Sequence, residues 1–221
     1  MSDGRSASSS PSRVLRFEVA TAPGHPDPRG DAVLAQARAM GLSAKSVRTS
    51  RVYLVEPKAS GRDSTSAALE SIPSRLLADP VVERAVAGVS PTTPGVATIE
   101  VHPQPGVMDP TAQSVAEAIA DLTGSDANVS TGWRYDFEGV SASDAASFAR
   151  RSLANPVIHE IRERPFHPAS LPSGHAYALK ITHVPLRNLD EEALQRLSRS
   201  AHLFLSLEEM HAVRDHFAKL D

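Results

Sequence analysis

The chain has 221 residues, 41% of them hydrophobic and 22% charged, with a formal net charge of -3 and no cysteine. Those figures suit one large or two small globular domains, and they exclude a disulfide framework, thiolate metal ligands and a cysteine nucleophile. The acidic balance leaves no electrostatic footprint for DNA or RNA, no apolar run reaches the roughly 18 residues of a membrane span, and cytoplasm is the expected compartment.

Residues 1–13 are Ser- and Gly-rich and lack the apolar core of a secretory signal, so they read as a disordered lead-in. Val14 to Ala20 predicts a strand, stopped by Pro23-Gly24-His25-Pro26. Asp27 is placed as N-cap with Pro28 at the first helical position, and Val33, Leu34, Ala37 and Met40 then share one helix face up to Gly41. Val47 to Glu56, rich in β-branched residues, predicts the next strand. Leu69, Ile72, Leu76 and Leu77 recur with helical spacing, but Pro73 predicts a kink or a late start. Asp79-Pro80 ends that stretch, and Val81 to Val86 reads as a closing strand.

The same order then recurs. Ala97 to Val101 is a strand, Asp109-Pro110 opens a helix with Val115, Ile119 and Leu122 inward, and Gly124 stops it. Val129 to Glu138 follows, with Trp133, Tyr135 and Phe137 alternating with Arg134 and Asp136, a pattern that predicts one buried and one wet face. Ser141 caps a helix carrying Ala145, Phe148, Ala149 and Leu153, and Asn155-Pro156-Val157-Ile158 mirrors Asp79-Pro80-Val81-Val82. Residues 17–56 and 99–138 share twelve identities in forty positions at an offset of 82, which drops to 76 at Leu77 and Leu153. The expected fold is therefore α+β: two βαββαβ-like modules, the middle strand of each long enough to be split in two, that pair as an intramolecular pseudo-dimer.

After Phe166 a Pro- and Ser-rich linker leads to a strand-like stretch, Tyr177 to Val184, and to Asp190 as N-cap of a helix with Leu194 and Leu197. Ser206 with Glu209 makes a capping box and Leu205 with Met210 a hydrophobic staple, so a last helix starts there with Met210, Val213, Phe217 and Leu220 on its apolar face. That face calls for a partner surface on another polypeptide or earlier in this one.

The pattern strand, Pro-Gly-x-x-Asp-Pro, helix, Val-x-Thr-x-x-x-Tyr-x-x-Glu, then Leu-Ala-(Asp/Asn)-Pro-Val-(Val/Ile) resembles the small PurS-type subunit of phosphoribosylformylglycinamidine synthase, in both copies. The tail, Leu189 to Leu220, resembles the helical linker ahead of the catalytic domain in the PurL-type subunit. The expected organisation is a lead-in at 1–13, PurS-like repeats at 14–89 and 97–166, and a PurL-type linker at 175–221. The resemblance implies a non-catalytic assembly role, joining a PurL-type synthetase to a PurQ-type glutaminase for ammonia transfer. The sequence stops at Asp221, before the catalytic domain of that family, so the resemblance implies a separately encoded piece with no catalytic, cofactor or metal residue of its own. ATP and magnesium are expected on the synthetase partner.

The residues themselves hold no nucleophile elbow, phosphate loop or dinucleotide fingerprint, and the nine histidines lack metal-ligand spacing, His211 and His216 being five apart. Asp27-Pro28 and Asp109-Pro110 are explained as helix starts. Arg51, Tyr53, Trp133, Arg134 and Tyr135 are the candidate partner interface, because aromatics and arginine dominate binding hot spots; Tyr53, Trp133 and Tyr135 serve equally well as core. A tandem ACT-like module that senses a small effector is the alternative function, since topology alone does not choose.

Overall fold

The computed structural model describes residues 14–58, 71–172, 174, 178, 179, 181 and 183–220, in two compact units, Met1–His175 and Ala176–Asp221. The first unit is mixed α+β. Its elements in chain order are β1 (Leu15–Thr21), α1 (Pro28–Ala39), β2 (Ser46–Pro57), a π-helical turn (Pro73–Leu77), β3 (Glu83–Ala87), β4 (Val96–Pro103), α2 (Pro110–Thr123), β5 (Ala127–Glu138), α3 (Ala142–Ser152) and β6 (His159–Arg162). The strands form one antiparallel sheet of order β3-β1-β2-β5-β4-β6.

The register proves the duplication. Leu15 faces Val55 in one half and Ala97 faces Phe137 in the other, each 82 residues on. Glu18 faces Val86, and Glu100 faces Arg162, which carries the offset of 76. In the central β2–β5 pair Arg51 lies opposite Trp133, its own equivalent, so a pseudo-two-fold axis passes between these two residues. Tyr53 and Tyr135 are related by that axis, opposite Thr131 and Thr49.

Two symmetry-related cores cover one face of the sheet. One joins Val33, Ala37 and Val47 of the first repeat to Ile99, Tyr135, Phe137, Phe148 and Ala149 of the second. The other joins Phe17, Tyr53, Val55, Ile72 and Leu77 to Ile119 and Ala127. The first helix of each repeat thus packs in the other repeat's core, and neither half buries its apolar surface alone.

Three local expectations change. β2 and β5 are unbroken, because each is paired along its full length across the axis. Around Pro73 the backbone takes a π-helical turn, in which Ala78 N donates to Pro73 O five residues back at 3.1 Å and Pro73 sits at the first position, where its missing N–H costs nothing; Ile72 and Leu77 are buried there, while Leu69 lies outside the described residues. β3 starts at Glu83 rather than Val81, because Asp79 O accepts from Glu83 N in a turn that leaves Val81 exposed.

The second unit holds α4 (Glu191–Ser200) and α5 (Leu207–Ala218). Asp190 caps α4, and Ser206 with Glu209 forms the complete capping box on α5. Between them Ser198 O accepts from Leu203 N and Phe204 N, and Ser198 Oγ donates to Leu205 O at 2.8 Å. Met210 is buried, whereas Phe217 and Leu220 are about half exposed. The described residues of the Tyr177–Val184 stretch form no strand.

Candidate functional site at the seam between the repeats

Each repeat ties its first helix to its middle strand through one carboxylate. Asp27 Oδ1 accepts from Gly30 N, and its Oδ2 accepts from Thr49 N at 2.6 Å; Asp109 repeats this with Ala112 N and with Thr131 N at 3.0 Å. The threonine hydroxyls donate to the same carboxylates. Capping therefore explains only half of each aspartate, and the recurring threonine is its second partner. At Gly30 the helix runs so close that a Cβ would lie 2.5 Å from Val47 O.

Four of the five interface candidates, Arg51, Tyr53, Trp133 and Tyr135, lie on the core face of β2 and β5 beside the pseudo-two-fold axis. Arg51 and Trp133 sit on it, each keeping part of its surface exposed. Arg51 Nη2 donates to both carboxylate oxygens of Glu83 and to Leu77 O. Across the seam the Arg29 guanidinium stacks 3.8 Å from the Trp133 ring, and its Nη2 donates to Tyr135 Oη at 2.8 Å. Tyr53 and Tyr135 are buried in the two cores, and burial raises the pKa of both hydroxyls, opposed at Tyr53 by the charge of Arg51 and at Tyr135 by Arg29.

Arg134 points the other way. The alternation in β5 predicts a wet face there, yet Arg134 is 2% exposed, because the segments after β3 and after β6 fold across that side of the sheet. It belongs to a buried chain of charges. Arg16 Nη2 donates to Glu100 Oε1 at 2.6 Å and its Nε to Glu18 Oε1; Arg134 Nη1 donates to Glu18 Oε2 at 3.1 Å and its Nε to Asp136; His102 Nε2 lies 2.9 Å from Glu100 Oε2. The covering backbone is drawn into the same network, since Glu18 accepts from Ser90 N, Arg134 donates to Ser90 O, Glu100 accepts from Phe166 N, and Arg16 donates to Phe166 O at 2.7 Å.

Burial would raise the Glu100 carboxyl, but hydrogen bonds from His102 and Arg16 outweigh it and hold the group below its ordinary value of 4.5. Burial likewise opposes the charge on Arg16, and the bonds to Glu100 and Glu18 outweigh it, raising its pKa. The one sequence signal for this network was the recurrence of Glu18 at Glu100.

Two related clefts lie beside the outer strands. One, of about 760 Å³, is lined by Arg150, Pro156, His159 and Arg162; its counterpart, of about 410 Å³, has Ser74, Pro80, Glu83 and Ala85 at the first three equivalent positions and beside them. Among the described residues no three His, Asp or Glu side chains gather as metal ligands.

The sequence profile of PurS, described as phosphoribosylformylglycinamidine (FGAM) synthase, matches residues 15–90 and 96–164, the two halves of the sheet. The chain belongs to the PurS family. Comparison with curated proteins finds no match. PurS membership ties the chain to FGAM synthase, to association with the subunits of that enzyme, and so to purine biosynthesis. The match covers both PurS repeats and leaves residues 165–221, with α4 and α5, outside it. No helix among the described residues is long and apolar enough to cross a membrane.

Proposed function

We propose that this chain is a non-catalytic assembly part of FGAM synthase, which joins a PurL-type synthetase to a PurQ-type glutaminase so that ammonia passes between them without reaching solvent. The assembled enzyme converts formylglycinamide ribonucleotide, glutamine, ATP and water to the formylglycinamidine ribonucleotide, with ATP and magnesium held by the synthetase and the complex working in the cytoplasm. The observation that carries this reading is the pairing of two PurS-matching repeats about one axis through Arg51 and Trp133. Such a body offers two equivalent flanks on a rigid base, which suits a spacer between larger subunits. In this reading residues 175–221 are the PurL-type linker, and the exposed Phe204, Phe217 and Leu220 within them pack against the synthetase. Arg51 and Trp133 form the partner contact at the seam, with Tyr53, Arg134 and Tyr135 supporting them from within.

The test is affinity capture of the tagged full chain from its own cells with glutamine and ADP present. Recovery of an ATP-dependent synthetase and a glutaminase in fixed ratio is the expected result. Capture of neither sinks the assembly role.

A further inference from the structure

Within the described sheet the outer strands β3 and β6 each pair on one side only. An open strand edge presents N–H and C=O groups to another chain. Gln104 N donates to Ile158 O at 2.9 Å, which sets the phase of β6: even-numbered residues turn their backbone groups towards β4, and Ile161 turns its own outward.

On this edge the charges are arranged to match themselves. Glu160 and Arg162 share the sheet face that carries the buried charges, paired at 2.7 Å, and Arg162 stacks on Phe166 while its Nε is buried without a hydrogen-bond partner. A two-fold rotation about Ile161 lays a second β6 antiparallel to the first, Ile161 against Ile161, with each Glu160 opposite the other copy's Arg162. Opposite charges directly across a strand pair attract. The β3 edge has the same phase, set by Ala22 N donating to Val82 O at 2.8 Å, but the equivalent rotation about Ala85 sets Arg84 against Val86. Arg84 is moreover engaged by its own Pro80 and Glu83 carbonyls. One edge is self-complementary and the other is not.

We propose that β6 pairs antiparallel with β6 of a second copy of this chain, joining the two sheets into one across a two-fold axis at Ile161. The contact is closed, because the β3 edges at the far ends lack the matching charges to propagate it. It rests on the sheet edge alone and is independent of the role in FGAM synthase.

The experiment is sedimentation equilibrium of the full chain over a concentration series, with circular dichroism to verify folding. The wild-type chain should dimerise. Ile161→Pro removes an outward N–H and spares the β4 ladder, so it should be a folded monomer, while the β3 counterpart Ala85→Pro should still dimerise. E160R and R162E should each weaken self-association by about tenfold or more, and an equimolar mixture of the two should dimerise, two cations facing two anions. A wild-type chain that stays monomeric overturns the proposal. So does a dimer that survives Ile161→Pro, one that is lost in Ala85→Pro, or a mixture that fails to associate.

Discussion

Glu100 accepts from Arg16, His102 and the Phe166 backbone with no side-chain surface exposed, so its removal strands buried donors on three segments. Glu100→Ala is expected to cost about 3–5 kcal/mol in urea denaturation, the range for breaking one partner out of a buried ion pair. Because the folded carboxyl lies below its ordinary value, its contribution is fully present above about pH 4.5 and is lost as pH falls through the folded value. Glu100→Gln should therefore flatten the acid limb of stability against pH; an unchanged limb would assign acid unfolding to other carboxylates. Asp27 and Asp109 have matching bonds, so Asp27→Ala and Asp109→Ala should each cost about 1–3 kcal/mol and by similar amounts, read from thermal or urea midpoints.

At the level of elements, β5 carries Gly132 where β2 has Ser50, and the difference has a steric reason: a Cβ at 132 would overlap the His102 ring. The bare strand lets that ring lie flat enough to reach Glu100. Gly132→Ala should destabilise by about 1–3 kcal/mol, and in the His102→Ala background its further cost should shrink well below that; a strictly additive pair would refute the overlap. The helix elements were legible locally, since Asp27, Asp109, Ser141, Asp190 and Ser206 all cap as their side-chain chemistry and spacing predict. The closing strand of the first repeat was displaced by two residues, because a turn closed by Asp79 and Glu83 competes there with β propensity. The second face of β5 is covered rather than wet for a different reason: alternation reports which residues share a face, and what covers that face depends on segments far away in sequence.

Across the whole molecule, each core draws its first helix from the other repeat, so the two halves should not open separately. Native-state hydrogen exchange should give β2 and β5 amides the same opening free energy, close to that of global unfolding, with the fluorescence of Trp133 at the axis following the same transition; a repeat that opens first would break this account. The sequence by itself determined the two repeats, the capped helices, the middle strands and the PurS resemblance, because these follow from local periodicity, cap chemistry and self-similarity. Only the tertiary structure decided that the middle strands run unbroken across the axis, that the helices exchange cores, and that Arg16, Glu18, Glu100 and Arg134 lie buried. Those outcomes depend on which distant segments end up stacked on the sheet, and there the cost of burying a charge is offset by partners up to 150 residues away.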